Sequence, residues 1–176
     1  MNRAQVCCFT GHRPETLAAA GLREGPLAEQ IAQAVEQAVH SGYVSFLCGA
    51  SRGADFLFGE AVVRLRERYP HIKLVCVLPC RNQPDRWESA DRARYRRLLD
   101  AADEVVCLRE SYEPGCMQAR NRYMVDRATR LIAVYTGAPG GTAYTVRYAQ
   151  RQMLSVVNLS GQAPQQVSFE EAMQEV

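Results

Sequence analysis

Short apolar runs alternate along this chain with longer segments of helical period. The run 6–9 (Val6, Cys7, Cys8, Phe9) predicts a first strand, ended by Thr10 and Gly11. Leu27, Ile31, Ala34, Val35, Ala38 and Val39 then recur at helical spacing, as one buried helix face requires, and Gly42 follows as a stop. Residues 43–48 read as a second strand, 53–69 as a helix closed by Pro70, and 72–78 as a third strand. Strands four and five are expected at 105–108 and 131–135, with helices at 88–101, 115–129 and 141–152. A sixth strand fits 153–159. From Ser160 the chain turns to Gly, Pro and Gln, and 169–176 is a short acidic helix candidate.

Strands separated by helices need crossover connections, and right-handed crossovers build a parallel sheet covered on both faces. The predicted fold class is therefore α/β: a doubly wound, mostly parallel Rossmann-like sheet with helices on both faces. The 176 residues suit one domain at about 150 residues per domain, with 1–160 as that domain and 161–176 as a C-terminal tail. Ligands of such sheets bind outside the carboxyl ends of the strands, so the loops there are the places to look for chemistry.

Composition narrows the classes. With 47% hydrophobic and 23% charged residues the chain is globular rather than disordered. No apolar run approaches the ~20 residues of a membrane span, and the N-terminus leads into a strand without a signal-peptide core. A net charge of +2, from 21 basic and 19 acidic residues, argues against a nucleic-acid protein. Lys73 is the only lysine, so nearly all the basic residues are arginines; codon bias accounts for most of them, and arginine also suits bidentate phosphate contacts. The seven cysteines cannot all pair, and neither C-x-x-C nor zinc spacing occurs. Cys7, Cys48, Cys76 and Cys107 fall in strand-like runs, where free cysteine acts as a small hydrophobe. A reduced, cytoplasmic protein is expected, with no metal or cofactor implied.

Each strand-end loop has its own chemistry. After strand one, Gly11 permits a turn or a close approach, while His12 and Arg13 offer a titratable donor and a permanent cation. After strand two, Gly49, Ser51 and Gly53 run into a helix start whose free N–H groups make an anion site. Asp55 stands there either to complement the helix dipole or to hydrogen-bond a ribose or a reacting group. After strand three, Trp87 offers a stacking surface or a core lid. The run Asp91 to Arg97 reads as a solvated helix face. Met117, Arg120, Asn121 and Met124 share one helix face, a mixture that suits a polar pocket. After strand five, Gly137, Gly140, Gly141 and Thr142 lead into a helix and make the strongest phosphate signal in the chain.

Four stretches carry a resemblance to a known family. They are 8–14, 49–55, 119–126, and 132–135 leading to Gly140, Gly141 and Thr142. In this order they resemble the YpsA-like family of bacterial proteins, in the SLOG superfamily alongside DprA and the Lonely Guy proteins, over roughly 5 to 158. The resemblance implies a Rossmann-like domain that binds nucleotides or nucleotide-derived ligands. Lonely Guy enzymes, which release a base from a nucleoside monophosphate, have a catalytic glutamate three positions after the Gly-Thr; here that position is Thr145. A hydroxyl does not stabilise an oxocarbenium charge as a carboxylate does, so the phosphate cradle looks kept and the hydrolase machinery lost.

The leading expectation is a domain that binds or senses a nucleotide. Gly140, Gly141 and Thr142 hold a phosphate, the 49–53 loop and Asp55 lie near the ribose, and His12, Arg13, Arg120 and Asn121 complete the polar wall. The alternative is an N-glycoside hydrolase acting on a nucleotide or an ADP-ribose-like compound, its carboxylate supplied by Asp55 or Glu15. Third comes single-stranded nucleic-acid binding, supported only by Arg92 to Arg97 and Tyr95. A homodimer follows by analogy with superfamily relatives.

Overall fold

The computed structural model describes residues 2–161 of the chain. The acidic helix expected at 169–176 lies outside the described residues. The strands are β1 (Val6–Gly11), β2 (Ser45–Cys48), β3 (Lys73–Leu78), β4 (Glu104–Cys107), β5 (Arg130–Val134) and β6 (Ser155–Asn158). The helices are α1 (Pro14–Ala19), α2 (Glu24–His40), α3 (Ala54–Arg66), α4 (Ser89–Ala101), α5 (Cys116–Asp126) and α6 (Gly141–Arg151). Every strand pair is parallel, in the order β4-β3-β2-β1-β5-β6. The α/β, Rossmann-like expectation holds.

Alternation along the strands divides the core. Cys7 and Phe9 of β1 face a cluster built with Ile31 and Val35 of α2, Phe56 and Phe58 of α3, and Leu98 of α4. Val6 and Cys8 face the opposite cluster, with Met124 and Val125 of α5 and Val146 and Ala149 of α6. All seven cysteines are free thiols, and six are buried; Cys107, on the edge strand, is exposed. Burial pushes the Cys7 thiol up to about 12, which leaves it a packing group rather than a nucleophile.

One helix lies outside the sequence reading, and packing selects between two readings of one residue. Helix α1 has no counterpart in the sequence pattern because it is short: only Leu17 of its six residues is buried, which leaves no periodic face. Trp87 packs edge-on against Phe56 at 6.0 Å and Tyr95 at 5.4 Å, so the lid reading of this residue is the one the packing supports.

The strand order sets the position of the site. The chain leaves β1 for β2 on one side, and β5 returns to pair with β1 on the other, with Gly11 opposite Val134. The two connections diverge there and leave a crevice above the carboxyl ends of β1 and β5.

Candidate functional site

A cavity of about 300 Å³ occupies that crevice. Of the residues named from sequence, Gly11, His12, Arg13, Glu15, Ser51, Asp55, Arg120, Asn121, Gly141 and Thr142 all line it. Gly49, Gly53 and Gly140 do not line it. Phe9, Thr16 and Pro139 line it as well and were not singled out. Thr16 sits on α1, which has no periodic signal, and Phe9 reads in sequence as a strand residue within the 8–14 stretch.

His12 joins the two halves of the crevice. The backbone N–H of Thr136 donates to its Nε2 at 3.2 Å, and the Thr136 hydroxyl lies 3.1 Å from the same nitrogen. A backbone N–H can only donate, so Nε2 is the acceptor and the ring proton is assigned to Nδ1. Burial lowers the His12 pKa and keeps the ring neutral. The Nδ1–H has no protein partner among the described residues. Arg13 follows at the exposed end of the loop. Its guanidinium makes no hydrogen bond or ion pair among the described residues.

The loop between β2 and α3 turns inward. Its predicted anion site is filled by the chain's own carboxylate: the Ser51 N–H donates to Asp55 Oδ2 at 3.1 Å, and the Gly49 N–H also reaches Asp55. Burial raises the Asp55 pKa to about 6, although the neighbouring Arg120 charge and these N–H groups oppose the shift. Arg120 is buried beside it. Its Nη1 donates to the Gly49 carbonyl at 2.7 Å and its Nε to Asn121 Oδ1 at 2.7 Å, while Nη2 lies 3.4 Å from Ser51 Oγ.

The glycines of this loop make room for protein. A Cβ on Gly49 would lie 1.7 Å from Arg120 Nη1. Gly53 has φ 89°, and a Cβ there would sit 2.7 Å from the His12 carbonyl oxygen. A Cβ on Gly11 would meet the Ala54 Cβ at 2.4 Å. These contacts lock the β1 loop onto the start of α3, where the Ala54 N–H donates to His12 O at 3.2 Å.

The loop between β5 and α6 is the opposite case. No side chain caps α6, so the first N–H groups of an 11-residue helix remain uncommitted. Gly140 has φ 127°, and a Cβ there would meet nothing within 4 Å; at Gly141 only Asn121 Nδ2 would come as near as 4.0 Å. Thr145 contributes nothing to the cavity. Its hydroxyl is buried and donates back to Gly141 O at 2.7 Å.

The two candidate carboxylates differ. Glu15 is 65% exposed and pairs with Arg52 at 3.0 Å. Its own backbone N–H, helped by Arg52, lowers its pKa, so it stays ionised. Asp55 is the buried one and the only one of the two near neutrality.

With this geometry in place, comparison assigns the chain. The YspA SLOG family model matches residues 7–160. The chain belongs to that family. Among its relatives is the SPbeta prophage-derived protein YoqJ of Bacillus subtilis, 31% identical over 62% of this chain and 71% of that protein. A UPF0398 protein of Halalkalibacterium halodurans is 29% identical over 65% of this chain and 62% of its own length. Two solved structures share the fold at low identity. DNA processing protein A from Helicobacter pylori, described for its single-stranded DNA binding mode, has a TM-score of 0.63 at 13% identity and covers 99% of this chain and 73% of its own. DprA from Streptococcus pneumoniae has a TM-score of 0.62 at 15% identity, covering 98% and 56%.

Two further features bear on partners of this SLOG chain. No helix among the described residues is long and apolar enough to cross a membrane. The surface named for nucleic acid offers no stacking platform, because Tyr95 is buried, and Arg94 is held by Glu24 at 2.9 Å and Glu60 at 2.6 Å. Arg92, Arg96 and Arg97 remain exposed there.

Proposed function

We propose that the cavity binds a nucleotide or nucleotide-derived ligand, with its phosphate at the start of α6 and Asp55 near the sugar. The observation that carries this reading is the uncapped α6 N-terminus with open space above Gly140 and Gly141, beside a cavity that the unpaired Arg13 also lines. Neutral His12 adds a donor through Nδ1, and Asn121 adds its amide near Gly141. The role is binding or sensing. Position 145, where a hydrolase of the Lonely Guy kind has its glutamate, carries a hydroxyl committed to its own helix.

A thermal-shift panel of AMP, NAD, ADP-ribose and nucleotide sugars tests this reading. At a ligand concentration near 100 times its dissociation constant, binding adds about 2.7 kcal/mol, which raises the midpoint by roughly 5–11 °C in a chain of this size. A flat panel would count against the nucleotide reading.

A second reading rests on Asp55. A buried carboxyl titrating at about 6 in a ligand-sized cavity suits acid–base work on a glycosidic bond. Release of free base by the wild type, lost in Asp55→Asn, is the result this reading requires. Single-stranded nucleic acid is the ligand class that the likeness to DprA brings. A steep loss of oligonucleotide binding with salt, reduced by Arg92→Ala and Arg97→Ala, is its signature.

A further inference from the structure

Gln83 lies on the loop after β3, lines no part of the cavity, and carries no periodic or motif signal. It is nevertheless buried, and its amide is directed at the backbone of the β2–α3 loop. Nε2 donates to the Ala50 carbonyl at 3.0 Å and to the Gly49 carbonyl at 3.3 Å. The Gly49 oxygen is the same one that receives Arg120 Nη1 at 2.7 Å. One carbonyl is thus shared between the guanidinium at the cavity and an amide behind it.

Two observations set this contact apart from ordinary packing. Ala50 has φ 48°, a left-handed conformation that a non-glycine residue adopts only where its surroundings hold it. It is also fully buried, so the loop cannot relax into solvent. The second is the other end of the amide. Gln83 Oε1 is buried with no hydrogen-bond partner among the described residues. An apolar side chain of similar length would avoid the cost of that unsatisfied acceptor. The amide cannot turn over to relieve it, because Oε1 would then face two carbonyl oxygens. Strain at Ala50 and an unsatisfied acceptor at Gln83 both lie directly behind Arg120.

We propose that Gln83 is a positioning residue of the site: it holds Ala50 in its left-handed conformation and fixes the Gly49 carbonyl, and so sets the direction in which Arg120 enters the cavity. Gly49 is required by the same arrangement, since any side chain there would collide with the guanidinium. The consequence for ligand binding rests on reading the cavity as a nucleotide site. The consequence for Arg120 does not.

The test therefore has two readouts. The first is the Arg120 Nε–H resonance in a proton–nitrogen NMR spectrum, assigned by its loss in Arg120→Lys. Its bond to Asn121 Oδ1 makes it a protected, distinct signal in the wild type. Gln83→Met keeps length and removes the donor. The signal is expected to shift and to lose its protection from solvent exchange in this variant. The second readout is affinity for AMP, expected to weaken about tenfold in Gln83→Met. Adding Ala50→Gly to that variant removes the backbone strain, and should restore thermal stability without restoring the Arg120 signal or the affinity.

An unchanged Arg120 signal in Gln83→Met overturns the proposal. So does full recovery of stability, signal and affinity together on adding Ala50→Gly, which would leave Gln83 a brace for the loop alone. If the wild type does not bind AMP while Gln83→Met still alters the Arg120 signal, the positioning role stands and the choice of AMP as ligand falls. If AMP binds both proteins equally and the signal is unmoved, the nucleotide reading stands and the positioning role falls.

Discussion

Two glycine-rich loops enter helices at the same end of this sheet, and in sequence they invite the same interpretation. The 49–53 loop has its N–H groups on Asp55, Arg120 pressed against Gly49, and Gly53 against the β1 loop. Its anion and its cation are both internal. The 136–141 loop has an uncapped helix behind it and open space over its last two glycines. A glycine in the first loop is kept because protein fills the place of its side chain. In the second loop that place is free for a ligand.

The sharpest way to break the comparison is to add one carbon to each loop. Gly49→Ala drives a methyl into a buried guanidinium and should destabilise the protein by about 3 kcal/mol or more, read by chemical denaturation. Gly141→Ala should change stability by no more than about 0.5 kcal/mol. Equal losses at both positions would erase the distinction. A larger side chain in the open loop moves the effect from folding to binding. Gly141→Val should keep the wild-type melting midpoint to within about 2 °C, yet lose the stabilisation of about 2.7 kcal/mol that saturating ligand confers on the wild type.

Asp55 sharpens the comparison through pH. Its pKa is raised in the folded protein, to about 6 from an ordinary 3.8, so the folded state holds the proton more tightly. The stabilisation is full below the unfolded value and is lost as pH rises through about 6. Relative to Asp55→Asn, the wild type should therefore gain roughly 2 kcal/mol between pH 7 and pH 4.5. A ligand anion in the cavity that Asp55 lines favours the same protonated form. Affinity for ADP-ribose, whose diester phosphates do not titrate in this range, should rise as pH falls from 8 to 6, and Asp55→Asn should flatten that rise. The smallest effect is expected at Arg13. Arg13→Ala should leave stability within about 0.5 kcal/mol of wild type, weaken binding severalfold and reduce its dependence on salt.

What the sequence made legible follows from period and length. The α2 face, Leu27 to Val39, and the apolar strand runs carry their own signals, and the parallel order follows from their alternation. The six-residue α1 has one buried residue and no period, so neither it nor Thr16 could be found. Most residues named for the site do converge on one cavity, because strand-end loops gather where parallel strands end. The direction of each side chain was not legible. Nothing local says that the Asp55 carboxylate folds back onto Ser51, or that His12 meets Thr136 across 124 positions. Gln83 is the extreme case, an amide in an irregular loop whose importance depends on the φ of Ala50.

The central claim is that the second loop, and not the first, receives the ligand's phosphate. Backbone amide resonances followed during an AMP titration, with inorganic phosphate as a parallel probe, test it directly. The account predicts that the Gly141, Thr142 and Ala143 amides shift most, while the Ser51 amide, already bonded to Asp55, stays in place. Shifts concentrated at Gly49 to Gly53, with Gly141 and Thr142 unmoved, would contradict it.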